Sequence, residues 1–106
     1  MKHIVILLLF LGAAAQLLSQ DASKVTVTAA EVNNGVVIIN VLEGKTHVEL
    51  QCNANMPTCK KLTPGSAYTM VRLPKGHGMY ECDNVEMYTG DPETGEKLGQ
   101  YCAIKS

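Results

Sequence analysis

The residues of this 106-residue chain best suited to chemistry are Cys52, Cys59, Cys82 and Cys102, followed by His47 and His77. A thiolate can act as a nucleophile or a metal ligand, and a pair of thiols can form a disulfide. Zinc sites usually space their cysteines as C-x₂₋₄-C. Here six residues separate Cys52 from Cys59, and the other gaps are far wider. An even number of cysteines in a short chain marked for export reads as two disulfides. Oxidised cysteines offer no thiolate for catalysis.

Other catalytic patterns are missing. Ser66 follows Gly65 but is followed by Ala67 and Tyr68, so no G-x-S-x-G elbow forms. There is no P-loop, no G-x-G-x-x-G and no N-x-S/T acceptor. Carboxylates are scattered singly. Glu81 and Asp83 flank Cys82 on one strand face, where charges commonly protect an edge. Asp91-x-Glu93-x-Gly95-Glu96 echoes a calcium loop but lacks its D-x-D-x-D-G core and its distant Glu. His47 opens a strand, His77 sits in a loop, and no neighbouring ligand spacing turns either into a metal site. No cofactor is implied. A formal net charge of −1 excludes a nucleic-acid binder that works by phosphate neutralisation.

Binding character concentrates in loops. Cys52-Asn-Ala-Asn-Met-Pro-Thr-Cys59 precedes Lys60-Lys61. A disulfide across its base would preorganise it and lower the entropy lost on binding. Asn55, Met56, Pro57, Lys60 and Lys61 are its candidate contacts. A second loop, Pro74-Lys75-Gly76-His77-Gly78, offers Lys75 and His77.

These loops need strands to hold them. Lys24–Ala30 alternates, with Val25, Val27 and Ala29 on one side. Asn33-Asn34-Gly35 suits a type I′ hairpin turn, and Val36–Leu42 follows as a β-branched strand. Glu43-Gly44-Lys45 is a second tight turn, before His47–Cys52 with Val48, Leu50 and Cys52 inward. A short strand is expected at Cys59–Leu62, then a type II turn at Pro64-Gly65. Ser66–Leu73, Tyr80–Tyr88 and Lys97–Ile104 complete the set. Six to seven short strands without a helical period predict an all-β domain. A small antiparallel β-sandwich, immunoglobulin-like in the loose sense, or a small barrel would serve. The turn near Pro92 or Glu93 would set Cys82 opposite Cys102, and Cys52 and Cys59 flank their own loop. Bridges Cys52–Cys59 and Cys82–Cys102 are therefore expected, although four cysteines allow three pairings.

The N-terminus carries an address. Lys2 and His3 precede an apolar run from Ile4 to Leu11, then Gly12-Ala13-Ala14-Ala15. That is the order of a secretory signal, with the cut expected after Ala15. The run is much shorter than the ~20 residues of a spanning helix, so no stable membrane span is expected after its removal. Residues 1–15 are read as the signal, 16–23 as a flexible segment and 24–106 as one β domain, secreted or periplasmic. Phe10 leaves with the signal. The remaining core is aliphatic, with Tyr68, Tyr80, Tyr88 and Tyr101 as its large rings.

Two resemblances bear on this reading. Val48-Glu49-Leu50-Gln51-Cys52 and Gly78-Met79-Tyr80-Glu81-Cys82 resemble the two cysteine strands of immunoglobulin domains. The match is partial: the separation is short, Gly76 stands where that family usually has an acidic residue, and there is no Trp. The stretch Cys59–Cys102 resembles a group of small exported bacterial proteins of unknown function. It does so through Leu62-Thr63-Pro64-Gly65, Tyr68, Arg72-Leu73, Tyr80-x-Cys82, Asn84-Val85 and Leu98-Gly99-x-Tyr101-Cys102. That resemblance implies an address and a shape. The expected function is a non-catalytic binding or accessory module for a protein or envelope component. The alternatives are a secreted inhibitor or effector using the Cys52–Cys59 loop, and a small metal-dependent or hydrolytic enzyme.

Overall fold

The computed structural model describes residues 22–105. The signal at 1–15 and the cut after Ala15 lie outside the described residues. Six strands follow in order: β1 (Ala22–Asn33), β2 (Val36–Glu43), β3 (Thr46–Asn53), β4 (Ala67–Arg72), β5 (Asp83–Tyr88) and β6 (Lys97–Lys105). All pairings are antiparallel, and no helix occurs among the described residues. The domain is all-β.

Local turn chemistry builds the first three strands. Asn34 and Gly35 both take positive φ, 52° and 80°. This is the type I′ geometry that suits strand twist, and it sets Asn33 opposite Val36. The Gly44-Lys45 turn sets Glu43 opposite Thr46. Along β3, Val48, Leu50 and Cys52 point inward as the alternation requires.

β1 departs from simple alternation. Val25 and Val27 are buried, but Ala29 is exposed and Ala30 packs on the core. The expected grouping of Ala29 with the two valines is thus corrected. The register slips between Val27 and Ala29, and an extra residue flips every later side chain to the other face. Thr28 is that residue, and its hydroxyl donates to the Asn40 carbonyl at 3.1 Å. β1 also begins earlier than the boundary expected at residue 24. Ala22 and Ser23 already pair with Val71 and Met70 of β4.

The neighbours run β1-β2-β3-β6-β5-β4 and return to β1, so the one sheet forms a closed ring of pairings. Each strand has two partners. Ile39, Val41, Leu50, Met70, Val85, Met87 and Tyr101 are fully buried inside. Each such side chain contributes roughly 1.5–3 kcal/mol by leaving water. The interior is filled by side chains. Of the four tyrosines, Tyr101 is wholly internal, while Tyr68 and Tyr80 are partly buried against the core.

Two expected strands differ. Cys59–Leu62 is not a strand. The segment crosses an end of the ring, burying Leu62 to 4% exposure. Tyr101 Oη donates to the Lys60 carbonyl at 2.6 Å, and Gln100 N donates to the Thr58 carbonyl at 3.0 Å. The segment then turns at Pro64-Gly65, where Ser66 N donates to the Thr63 carbonyl. Tyr80–Cys82 is not part of β5 either, which starts at Asp83. There the Asn84 side chain replaces a strand neighbour: it accepts from Tyr80 N at 3.0 Å and donates to the Tyr80 and Cys82 carbonyls.

Candidate functional site

The bridges join Cys52 to Cys59 and Cys82 to Cys102, with Cα separations of 5.5 and 5.7 Å. These are the bonds the turn-centred spacing favours, and they fit an oxidising, extracytoplasmic environment. Each holds one of the two candidate loops.

Residues 54–61 form the first loop. Its backbone is turned on itself: Met56 N donates to the Asn53 carbonyl at 2.9 Å and Cys59 N to the Met56 carbonyl at 3.0 Å. Asn55 N donates to Asn53 Oδ1 at 3.0 Å. Ala54 N donates to the Gly35 carbonyl at 2.8 Å, tying the loop to the β1–β2 turn. On this support Asn55, Met56, Pro57, Lys60 and Lys61 are exposed.

The second loop is longer than its sequence suggests. Residues 74–82 fold as a strap over the outer face of β5 and β6. Gly78 lies so close to Asn84 that a Cβ would stand 2.4 Å from its side chain, and its φ of 102° also favours glycine. Met79 N donates to Gln100 Oε1 at 2.7 Å. Beneath the strap Asn84 and Gln100 are 4% and 8% exposed. Sequence reasoning missed both. Their outward strand positions read as ordinary surface, because the cover is supplied by distant residues.

The two loops meet. Thr58 Oγ1 donates to Met79 Sδ at 3.4 Å, and Asn53 N donates to Tyr80 Oη at 3.2 Å. Exposed Met56 and Met79 therefore belong to neighbouring loops at one end of the molecule. Met79 and Tyr80 were absent from the expected contacts. Lys75 and His77 are exposed on the strap, with His77 N donating to the Pro74 carbonyl. No hydrogen bond or ion pair among the described residues joins them to Met56, Lys60 or Lys61.

Between the loops lies an open groove of about 440 Å³. Asn34, Val36, Gln51, Asn53, Asn55 and Tyr80 are among its lining residues. No Asp, Glu, Lys, Arg or His lines it. Among the described residues no three His, Cys, Asp or Glu side chains are grouped to hold a metal ion. Glu81 and Asp83 are exposed beside Cys82.

A two-point ionic contact lies where β2 ends, on the seam between β4, β1 and β2. Arg72 grips Glu43 with two hydrogen bonds of 2.6 Å, and Ser23 donates to the same carboxylate. The Arg72 hydrogen bond lowers the Glu43 pKa to about 2, against the opposing effect of burial. On β5, burial raises the Glu86 pKa, but the hydrogen bonds from Lys97 and Tyr88 outweigh it and leave the carboxyl below its ordinary value. Inside, burial pushes the Tyr101 phenol well above its ordinary range.

Compared with protein-family models, with curated proteins and with solved structures, the chain matches none.

Proposed function

We propose that this chain is a secreted or periplasmic, non-catalytic binding module built on a small closed barrel. The closed ring of strand pairings and its filled interior support the barrel reading. Two disulfides support the address together with the signal-like N-terminus. The observation that carries the binding role is the meeting of two bridged loops through Thr58–Met79 and Asn53–Tyr80. Rigid loops that present exposed methionines are adaptable contact surfaces. Lys60 and Lys61 border that face and favour an acidic partner surface.

A Met56→Ala/Lys60→Ala double variant tests this. Both side chains are exposed, so its circular dichroism and thermal midpoint should match the parent. Capture of the envelope partner by the immobilised domain should fall sharply. Unchanged capture by the variant would contradict the assignment of the face.

A second reading keeps the same loop but makes the partner an enzyme. The Cys52–Cys59 staple and internal turns favour it, because a loop fixed before contact loses less entropy on binding. It requires stoichiometric slowing of a protease by the purified domain. No slowing across the protease classes would remove it.

A further inference from the structure

We infer that the groove between the β1–β2 turn, the end of β3 and the strap is a binding site for a neutral saccharide chain. This rests on the binding-module reading and assigns a ligand class to the groove beside the loops. Its volume of about 440 Å³ lies within the range of about 300–1,000 Å³ usual for small-ligand sites. Its lining brings together four carboxamides, those of Asn34, Gln51, Asn53 and Asn55, with Tyr80.

A carboxamide both donates and accepts hydrogen bonds, as a sugar hydroxyl does. Charged ligands would call for charged partners, and the groove has none in its wall. Among the described residues, the side-chain amides of Asn34 and Asn55 make no intramolecular hydrogen bond and are exposed. Asn53 and Gln51 are partly engaged, through Asn53 Oδ1 to Asn55 N and Gln51 Nε2 to Glu49. The Tyr80 hydroxyl accepts from Asn53 N, and its ring supplies the apolar surface on which the C–H face of a sugar ring packs.

The walls are also fixed before any ligand arrives. Asn34 sits in the type I′ turn, which Ala54 N ties to the first loop. Asn55 sits in the loop closed by Cys52–Cys59. Tyr80 is held by Asn84 and by the Cys82–Cys102 bridge two residues on. Such preorganisation is what a weakly bound, heavily hydrated ligand needs.

The test is titration of the isotope-labelled full domain with short neutral oligomers of glucose, xylose and N-acetylglucosamine, followed by amide NMR. At least one oligomer should shift the side-chain amides of Asn34 and Asn55 and the backbone of Tyr80, leaving the β2–β3 turn at Lys45 unmoved. The Asn34→Gly/Asn55→Ala variant removes both carboxamides while glycine keeps the positive φ of the turn, and its affinity should fall by about tenfold or more. Three results would overturn the inference: no shifts with any of the neutral oligomers, equal binding by the variant, or tighter binding of anionic oligosaccharides. Partner capture measured on the same Asn34→Gly/Asn55→Ala protein separates the two proposals. Retained capture by that variant, with no sugar shifts in the parent domain, removes the ligand class and leaves the module.

Discussion

Asn84 stands at an outward position of β5, yet it is 4% exposed. Its side chain makes three hydrogen bonds to the strap, to Tyr80 N, the Tyr80 carbonyl and the Cys82 carbonyl. Asn84→Ala leaves those groups without partners under partial cover. Such losses cost about 1–3 kcal/mol each when the groups stay buried. Because the strap can partly rehydrate, we expect a total of about 2–3 kcal/mol, read as a lower urea midpoint with unchanged slope. Glu43 makes a second prediction at this scale, on pH. Its folded pKa is depressed to about 2 from 4.5. The stabilisation is therefore complete above about 4.5 and is lost as pH falls toward about 2. The Arg72 side chain is 44% exposed, and solvent screening reduces the gain to about 1 kcal/mol. Denaturation of the parent and of Glu43→Gln between about pH 5 and pH 2 should show the difference shrinking by that amount. The other acids, Glu86 included, are common to both proteins and cancel. A constant difference would contradict the clamp.

At the scale of elements, legibility follows locality. The Asn34-Gly35 turn, the Gly44-Lys45 turn and the Pro64-Gly65 turn each depend on adjacent residues, and all three are readable in the sequence. The same holds for the inward set Val48, Leu50 and Cys52. Thr28 breaks the rule, because a one-residue slip leaves no local mark in a run of alternating Thr and Val. Cys59–Leu62 also misleads. Its composition suits a strand, but Pro64 ends any extension and Leu62 gains more by burial in the ring. Met56 and the lysines were visible as loop residues. Met79 and Tyr80 were not visible as their neighbours, since the strap returns from a distant part of the chain. The strap is held to the ring by side chains and one bridge, which gives a prediction. Cys82→Ser/Cys102→Ser should cost about 2–4 kcal/mol of stability. In hydrogen exchange, Met79 and Tyr80 amides should lose protection first, while Ile39 and Leu50 keep theirs. Uniform loss across the domain would mean that the strap and the ring open as one unit.

The whole molecule is a ring closed by its first strand. β1 pairs with β2 along its second half and with β4 along its first, and Arg72 reaches across that seam to Glu43. Aliphatic side chains and Tyr101 fill the ring. The Cys52–Cys59 loop lies at the end of β3 that Met79 and Tyr80 of the strap reach, and the β2–β3 turn at Gly44-Lys45 lies at the other end of β3. This polarity provides the most direct test of the account. A photoreactive residue placed at Met56, at Met79 or at Lys45 occupies three exposed positions on one fold. Irradiated in the oxidising, extracytoplasmic surroundings that the two disulfides fit, Met56 and Met79 should give the same adduct, and Lys45 should give none. Equal adducts from all three positions, or an adduct from Lys45 alone, would contradict a binding face at the bridged loops.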